Sequence, residues 1–278
     1  MRRLFLLALI LLSGCSFARN IHRRSNLMAY LYPVGDVAPK EATDVALQLP
    51  LRLGIAFVPA DRSAGNYYGG VSNVAPADVE RDLLEIVRKA FAGREWVREI
   101  VIIPSNYLTP GGGFENLDQV SRMFGTDVIA LASIDQLQSS NPRRMSFLYM
   151  SIIGAYVLPL DKNDTRTLID VAVFHVPSRT FILRAPGQSH ITGSSTAVDV
   201  MPTLADKSNR GMKLAMEDVA KNLDEEIKRF KASVASGERK DVDIITKEGK
   251  SVRRSGSFGA IEALVALMLA AALLIRRT

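Results

Sequence analysis

The sequence has few of the side chains that most often carry chemistry. Its 278 residues include one cysteine and three histidines. A single cysteine excludes a disulfide within the chain. His22 lies in a predicted tether, residues 15–49. His175 and His190 lie on predicted strands and have no His, Cys or Asp around them at metal-ligand spacing, so a structural role is favoured over metal binding. We therefore expect no metal and no cofactor.

An excess of charge is also largely missing from the body of the chain. The formal net charge is +6, and half of it comes from the two ends, where Arg2, Arg3, Arg276 and Arg277 outweigh Glu262. The rest is a modest excess spread along the sequence, which argues against nucleic acid as a partner. With 47% hydrophobic residues the chain is rich enough in apolar side chains to build a core.

The amino terminus lacks an apolar run long enough to cross a bilayer. Leu4 to Leu12 is about half of the roughly 20 residues that a spanning helix needs. Arg2 and Arg3 precede it, and the small residues Ser13 and Gly14 follow, which is the pattern of a secretory signal. The only cysteine, Cys15, comes next.

The stretch Leu12-Ser13-Gly14-Cys15 resembles the lipobox of bacterial lipoproteins. The resemblance implies cleavage between Gly14 and Cys15 by lipoprotein-processing enzymes and an acyl anchor on Cys15 that binds membrane lipid. Ser16, in place of aspartate, is similar to the pattern that sorts lipoproteins to the outer membrane. Residues 1–14 are thus expected to be a signal peptide and residues 15–49 a tether. Leu27 to Tyr32 either belongs to that tether or packs on the domain as an irregular arm.

The body, residues 50–236, opens with a strand, helix, strand, helix, strand pattern. Apolar runs predict strands at Leu51 to Val58, Ile100 to Ile103 and Asp127 to Ile134. Helical spacing predicts one helix from Pro76 to a stop at Gly93 and another that ends at Gly125. This order is typical of a parallel sheet with right-handed crossovers.

In the second half of the body, consecutive strands replace the alternation of strands and helices. We expect an antiparallel meander of three strands, with turns at 161–164 and 177–179; the strands are Phe147 to Leu158, Leu168 to Val176 and Thr180 to Ile191. A long amphipathic helix over Thr203 to Ser236 should then pack on the sheet, with Gly211 breaking or starting it; a coiled-coil contact with another subunit is the alternative. The predicted class is α/β (α+β) with a mixed sheet. The element order resembles small periplasmic lipoprotein domains such as the curli secretion lipoprotein and the peptidoglycan-synthase activators, by analogy of fold alone.

A polar linker at 237–254, with a possible small hairpin around Val242 to Thr246, leads to an unusual tail. Ala260 to Ile275 is apolar apart from Glu262 and ends in arginines that favour a cytoplasmic carboxyl end. At 1.5 Å per residue it spans roughly 24 Å, which is short for a transmembrane helix.

Small residues precede that helix: Ser255, Gly256, Ser257 and Gly259. This tail resembles the Gly-Gly sorting signal recognised by the intramembrane serine protease rhombosortase, and with the lipobox the chain is similar to the rhombotarget lipoproteins. The resemblance implies that a rhomboid-type protease cuts near these four residues, within the tail 255–278. The alternative is a helix retained as a permanent anchor.

Other motifs are weak indicators of chemistry. His190 is followed by Ser194, Ser195 and Asp199, which are the ingredients of a hydrolase, but the Gly-x-Ser-x-Gly frame is missing. Gly111-Gly112-Gly113 lacks the Lys-Ser/Thr pair of a phosphate-binding loop. Tyr67-Tyr68-Gly69-Gly70 either contacts a partner or packs on the body. We therefore expect a non-enzymatic binding or assembly lipoprotein of the cell envelope, with an envelope hydrolase as the alternative; the sequence does not identify its protein partner.

Overall fold

The computed structural model describes residues 19–33, 45–60, 76–142, 156–249 and 251. A short 3-10 turn at Ser105–Tyr107 stands among the regular elements. In chain order these elements are β1 (Arg19–Arg24), α1 (Leu27–Leu31), β2 (Val45–Gln48), β3 (Leu51–Phe57), α2 (Ala77–Phe91), β4 (Val97–Ile102), α3 (Gly113–Phe124), β5 (Val128–Pro142), β6 (Asp161–His175), β7 (Thr180–Ser195), α4 (Val200–Ala235) and β8 (Val242–Ile245).

The main sheet is mixed, as the sequence predicts. Its strand order is β4-β3-β5-β6-β7, and β1 pairs with the far half of β5 on the same side as β3. Strands β3, β4 and β5 run parallel, whereas β5, β6 and β7 form antiparallel hairpin pairs. The predicted combination of a crossover half with an antiparallel half is confirmed.

Local sequence explains the helices of the parallel half. Helix α2 begins after Pro76, whose backbone shape suits a helix start, and its buried side chains recur at helical spacing. Helix α3 ends at Gly125, which adopts a left-handed conformation (φ 64°) that costs glycine little. Gly54 in β3 lets the strand approach its neighbours, since a Cβ there would lie 2.7 Å from Cδ1 of Ile103.

The antiparallel half differs from the expectation in its strand boundaries. Strand β5 continues to Pro142, so it supplies the first strand of the meander itself. The expected turn at 161–164 is wrong, because these residues begin β6 and pair with both β5 and β7. Most of the expected strand Phe147 to Leu158 lies outside the described residues, and its described end is helical at Tyr156 and Val157.

Much of the predicted tether belongs to the fold. Strand β1 pairs with β5 over six residues, and helix α1, capped by the side chain of Asn26, buries Tyr30 and Leu31. Of the two alternatives for Leu27 to Tyr32, the structure therefore agrees with an arm packed on the domain. The sequence signal was weak because the buried residues of α1 fill less than two turns.

Helix α4 runs unbroken through Gly211, which therefore neither starts nor breaks it. The glycine instead permits close contact with the sheet, since a Cβ at this position would lie 2.8 Å from Oγ1 of Thr167. Beyond the helix, β8 pairs in parallel with β2, and a single antiparallel bridge joins Ile245 to Ser251. The anticipated small hairpin is thus limited to that one bridge.

Helices cover the sheet unequally. Helices α2 and α4 pack on one side, the inner face, over a core that includes Ile55, Val171 and Met216. Helices α1 and α3 cover the opposite side only near β3 and the first half of β5. Of the described residues, no helix covers the far halves of β5, β6 and β7 on that opposite side, and this region is the candidate site.

Candidate functional site

The uncovered side of β1, β5, β6 and β7 presents ordered rows of side chains. One row across the four strands is Arg24, Asp135, Leu168 and Gln188, and the next is His22, Leu137, Arg166 and His190. A groove of about 820 Å³ lies over these rows. We call this surface the open patch; it consists of those eight residues with Asp164 beside them.

Apolar side chains at the centre of the open patch are exposed. Leu137 and Leu168 leave 48% and 43% of their surface in solvent. Towards α1 the surface continues over a second groove of about 570 Å³, where Met28 and Phe181 are also exposed. Scattered exposed leucines are normal on a protein, but adjacent ones on an uncovered sheet face are typical of a contact surface.

Ion pairs surround the two leucines. Asp135 accepts from Nε2 of His22 at 2.7 Å and lies 3.9 Å from Nε of Arg24. Asp164 accepts from Nε2 of His190 at 2.9 Å and from Nε of Arg166 at 3.2 Å. All six of these side chains are solvent-accessible, so the pairs stabilise the fold little and remain available to a partner.

The electrostatics of Asp164 follow from these neighbours. Partial burial by itself raises the pKa of the Asp164 carboxyl. The hydrogen bond and charge of His190, together with the charge of Arg166, outweigh that effect and hold the pKa below its usual value. Asp164 is therefore an anion at neutral pH and fixes the orientation of the His190 imidazole and the Arg166 guanidinium in the open patch.

The inner face of the same strands carries a buried polar layer. Nε2 of Gln136 donates to Oγ1 of Thr167 at 2.8 Å and to the carbonyl of Ser208 in α4 at 3.0 Å. Nε2 of Gln138 donates to the carbonyl of Leu204 at 2.7 Å. These bonds attach the first half of α4 to the sheet through polar groups, whereas its second half packs on apolar side chains.

The histidines expected to be structural have identifiable partners. His22 and His190 contact aspartates in the open patch, and Nδ1 of His175 lies 2.7 Å from Oγ of Ser178. Burial lowers the pKa of His175, although the nearby Asp127 partly opposes this. Across the described ranges, no group of three His, Cys, Asp or Glu side chains is placed to hold a metal ion.

The possible hydrolase residues are not brought together. His190 pairs with Asp164, and Ser194 lies four residues farther along β7, roughly 13 Å away at about 3.3 Å per residue. Ser195 points to the other side of the sheet, where it is buried and accepts from Nδ2 of Asn163 at 3.0 Å. Asp199 accepts from Thr196 just before α4 begins. Hydrolase chemistry of this kind requires a nucleophile in contact with a base. These four residues do not provide such a pair.

The glycine run is a structural loop. Gly111 and Gly113 have positive φ angles of 70° and 61°, which glycine adopts without strain. A Cβ on Gly113 would lie 3.3 Å from the carbonyl oxygen of Leu31, so the run lets α1 approach the start of α3. Packing of α1 thus explains these residues without a phosphate ligand.

The remaining sequence-predicted sites lie outside the described residues. These are Gly14 and Cys15, the tail residues Ser255, Gly256, Ser257 and Gly259, the helix at 260–275, and Tyr67 to Gly70. Within the part that is described, no helix combines the length and apolarity that a membrane span needs.

Sequence reasoning did not identify the open patch. Its signal is the strict alternation in 136–140 and 161–167, where every second residue is polar and buried on the inner face of the sheet. Because residues on a strand point alternately to the two faces, the adjacent residues Asp135, Leu137, Arg166 and Leu168 must share the other face. That step requires the strand pairing, which the sequence does not provide.

Comparison with known proteins gives structural likeness alone. No family model and no curated protein matches the chain. A PelC dodecamer from Paraburkholderia phytofirmans is 10% identical over 73% of this chain and 98% of its own, with a TM-score of 0.24. A neuraminyllactose-binding hemagglutinin homolog from Helicobacter pylori is 10% identical over 74% of this chain and 97% of its own, with a TM-score of 0.33.

Proposed function

We propose that the protein is an exported bacterial lipoprotein, anchored through an acylated Cys15, that acts as a non-enzymatic binding or assembly component of the cell envelope. The observation that carries the binding role is the open patch, where Leu137 and Leu168 are exposed on a sheet face that described helices leave uncovered. The anchoring rests on the sequence Leu12 to Cys15.

The charges of the open patch fit a binding role better than a catalytic one. Its cationic and anionic side chains are already paired with one another and are solvent-accessible, whereas catalytic groups are usually desolvated to tune their pKa. A surface of exposed leucines framed by ion pairs suits contact with another macromolecule. The mature domain then presents this surface on the periplasmic side of the membrane or at the cell surface, with the outer membrane favoured by Ser16.

The anchor is tested by substituting Cys15. In cells grown with an alkyne-labelled fatty acid, the wild-type protein should take up label and Cys15→Ala should not. Ser13→Ala keeps a small residue before the cut and serves as the matched control, which should label like the wild type. Equal labelling of Cys15→Ala would exclude acylation at this residue.

We further propose that a rhomboid-type intramembrane protease trims the tail. Glycine and serine at 255–259 lower helix stability at the entry to the apolar segment, which is where such proteases cut. The intact mass of the mature protein decides between processing and retention. A mass without Ala260 to Thr278 supports trimming, and a mass that includes Arg277 shows that the helix is kept as a second anchor.

Contact through the open patch is tested by photo-crosslinking in intact cells. A photoreactive amino acid at position 137 should give a crosslinked product that the same residue at position 214 does not. Leu214 is a suitable control because its exposure of 41% is close to the 48% of Leu137. It lies on α4, at the other side of the sheet. Identical crosslinking patterns at both positions would refute a binding role for the open patch.

A further inference from the structure

Four side chains at the centre of the open patch form a checkerboard. In the pairing of β5 with β6, Asp135 lies opposite Leu168 and Leu137 lies opposite Arg166. The two leucines therefore occupy one diagonal of a small quadrilateral, and the two opposite charges occupy the other. All four side chains are accessible: Leu137 and Leu168 are about half exposed, and the exposed side-chain fractions of Asp135 and Arg166 are 46% and 70%.

This arrangement is complementary to itself. If a second copy is placed face to face with the first, with a two-fold axis along the leucine diagonal, each leucine meets its own counterpart. The same rotation places Asp135 of each copy over Arg166 of the other. Because a two-fold interface must match a surface with itself, such self-complementarity is the property that it requires. We propose that the open patch binds a second copy of this chain in this orientation.

The overall charge balance of the open patch is also consistent with a second copy as the partner. Arg24 and Arg166 are balanced by Asp135 and Asp164, so the patch offers no excess charge of one sign to a strongly acidic or basic ligand. His22 and His190 lie at the two ends of the row that contains Leu137 and Arg166. The rotation that places Asp135 over Arg166 also carries Arg24, the row neighbour of Asp135, towards His190, the row neighbour of Arg166. The favourable pairing is therefore confined to the four central side chains.

The size of the patch sets the strength of the contact. Four strands about 4.8 Å apart and the five residues from Asp164 to Leu168 at about 3.3 Å each give a face of roughly 15 by 16 Å. Two such faces bury well under the 1,200 Å² or so of standard interfaces, so the dimer should be weak in dilute solution. Anchoring both copies to one membrane raises their effective concentration, which is where the contact should be detected.

The inference deepens the binding role proposed above and is tested on the full chain in its own membrane. Leu137 faces Leu137 of the second copy across the axis, so Leu137→Cys should form a disulfide-linked dimer on mild oxidation. Leu168→Cys should do the same and covers the case in which one variant folds poorly. Leu214→Cys is equally exposed but lies on the other side of the sheet, and it should stay monomeric. The wild-type chain controls for any reaction of Cys15.

Charge exchange tests the orientation. In the Leu137→Cys background, Asp135→Arg places arginine over arginine and Arg166→Asp places aspartate over aspartate, so each should lower the dimer yield by at least about tenfold. The two changes in one chain should restore the yield. Co-expression of the two single variants should restore it as well, because each then supplies the charge that the other lacks.

The outcomes separate this inference from the proposed function. Photo-crosslinking of position 137 to a different envelope protein, and not to a second copy, overturns self-association but supports the binding role. Dimers that ignore the charge substitutions overturn the two-fold orientation along the leucine diagonal. Absence of a disulfide-linked dimer at both positions 137 and 168 overturns the self-association alone, because the binding role is tested separately by the photo-crosslinker at position 137, which needs no cysteine on the partner.

Discussion

Glycine at position 187 should be essential for the contact between α4 and the sheet. Gly187 lies in β7 opposite Ile169 and faces α4. A Cβ at this position would overlap the backbone of Ala215 and Val219 and would lie 2.7 Å from Cγ2 of Val219. Two of these obstacles are backbone atoms of the helix, so Gly187→Ala cannot be accommodated by rotating a side chain. The whole helix must move away from β7.

The cost of this movement can be bounded from the packing. Overfilling a well-packed core typically costs about 1–3 kcal/mol, and a clash with helix backbone belongs at the upper end of that range. Displacing α4 also disturbs Ala215, Met216 and Val219, each fully buried. We expect Gly187→Ala to lower the free energy of unfolding by about 3 kcal/mol, which for a domain of this size lowers Tm by roughly 6–12 °C.

Gly193 supplies a matched control on the same strand and face. A Cβ there would meet the end of the Lys207 side chain, with Cε at 3.1 Å, and that flexible end can turn aside. Gly193→Ala should therefore stay within about 0.5 kcal/mol of the wild type. Urea unfolding followed by circular dichroism compares the two variants. If Gly187→Ala proved as stable as Gly193→Ala, the close approach of α4 to β7 would be refuted.

Three further predictions concern stability. Ser208→Ala removes the hydroxyl that donates to Oε1 of Gln136 at 2.5 Å in a fully buried site, and it should cost about 1–3 kcal/mol in urea unfolding. A cost near zero would show that the polar layer contributes nothing. Met216→Ala leaves a cavity under α4 and should cost about 2–5 kcal/mol, whereas Leu214→Ala, on the exposed side of the same helix, should change stability by less than about 0.5 kcal/mol. Because burial lowers the pKa of His175, the unfolded chain binds a proton that the folded chain does not. Stability should therefore fall as the pH drops through histidine's usual pKa of about 6.5, and His175→Gln should flatten the decline of Tm over that interval.

The parallel half of the fold was predictable because its signals are local. Leu51 to Phe57 is an apolar run, α2 follows a proline, and α3 stops at Gly125. Each boundary is set by residues within a turn of it, and the crossover rule then gives the parallel order. Such features can be found without knowing which residues meet across the sheet.

The antiparallel half was less predictable because its strands bury polar residues. Gln136 and Gln138 in β5, with Thr165 and Thr167 in β6, are buried by hydrogen bonds to one another and to α4. From the sequence alone, such polar residues are assigned to turns or to the surface. This is why a turn is expected at 161–164, although these residues belong to β6. The residues that accept their hydrogen bonds are distant in the sequence, so no local pattern indicates this burial.

The buried polar layer and the open patch depend on the same strand register. Strands β5 and β6 alternate between the two sets, with Gln136 and Thr167 facing α4 while Asp135 and Leu168 face outward. A slip of one residue would put the aspartate under the helix and the glutamine in solvent. Such a slip would leave the carbonyl of Ser208 and the amide of Gln136 without the bond that joins them, which is costly in a site where both are buried. An apolar layer would tolerate other alignments more readily, because apolar contacts are not directional. The glutamines therefore hold the leucine and charge diagonals of the open patch in place.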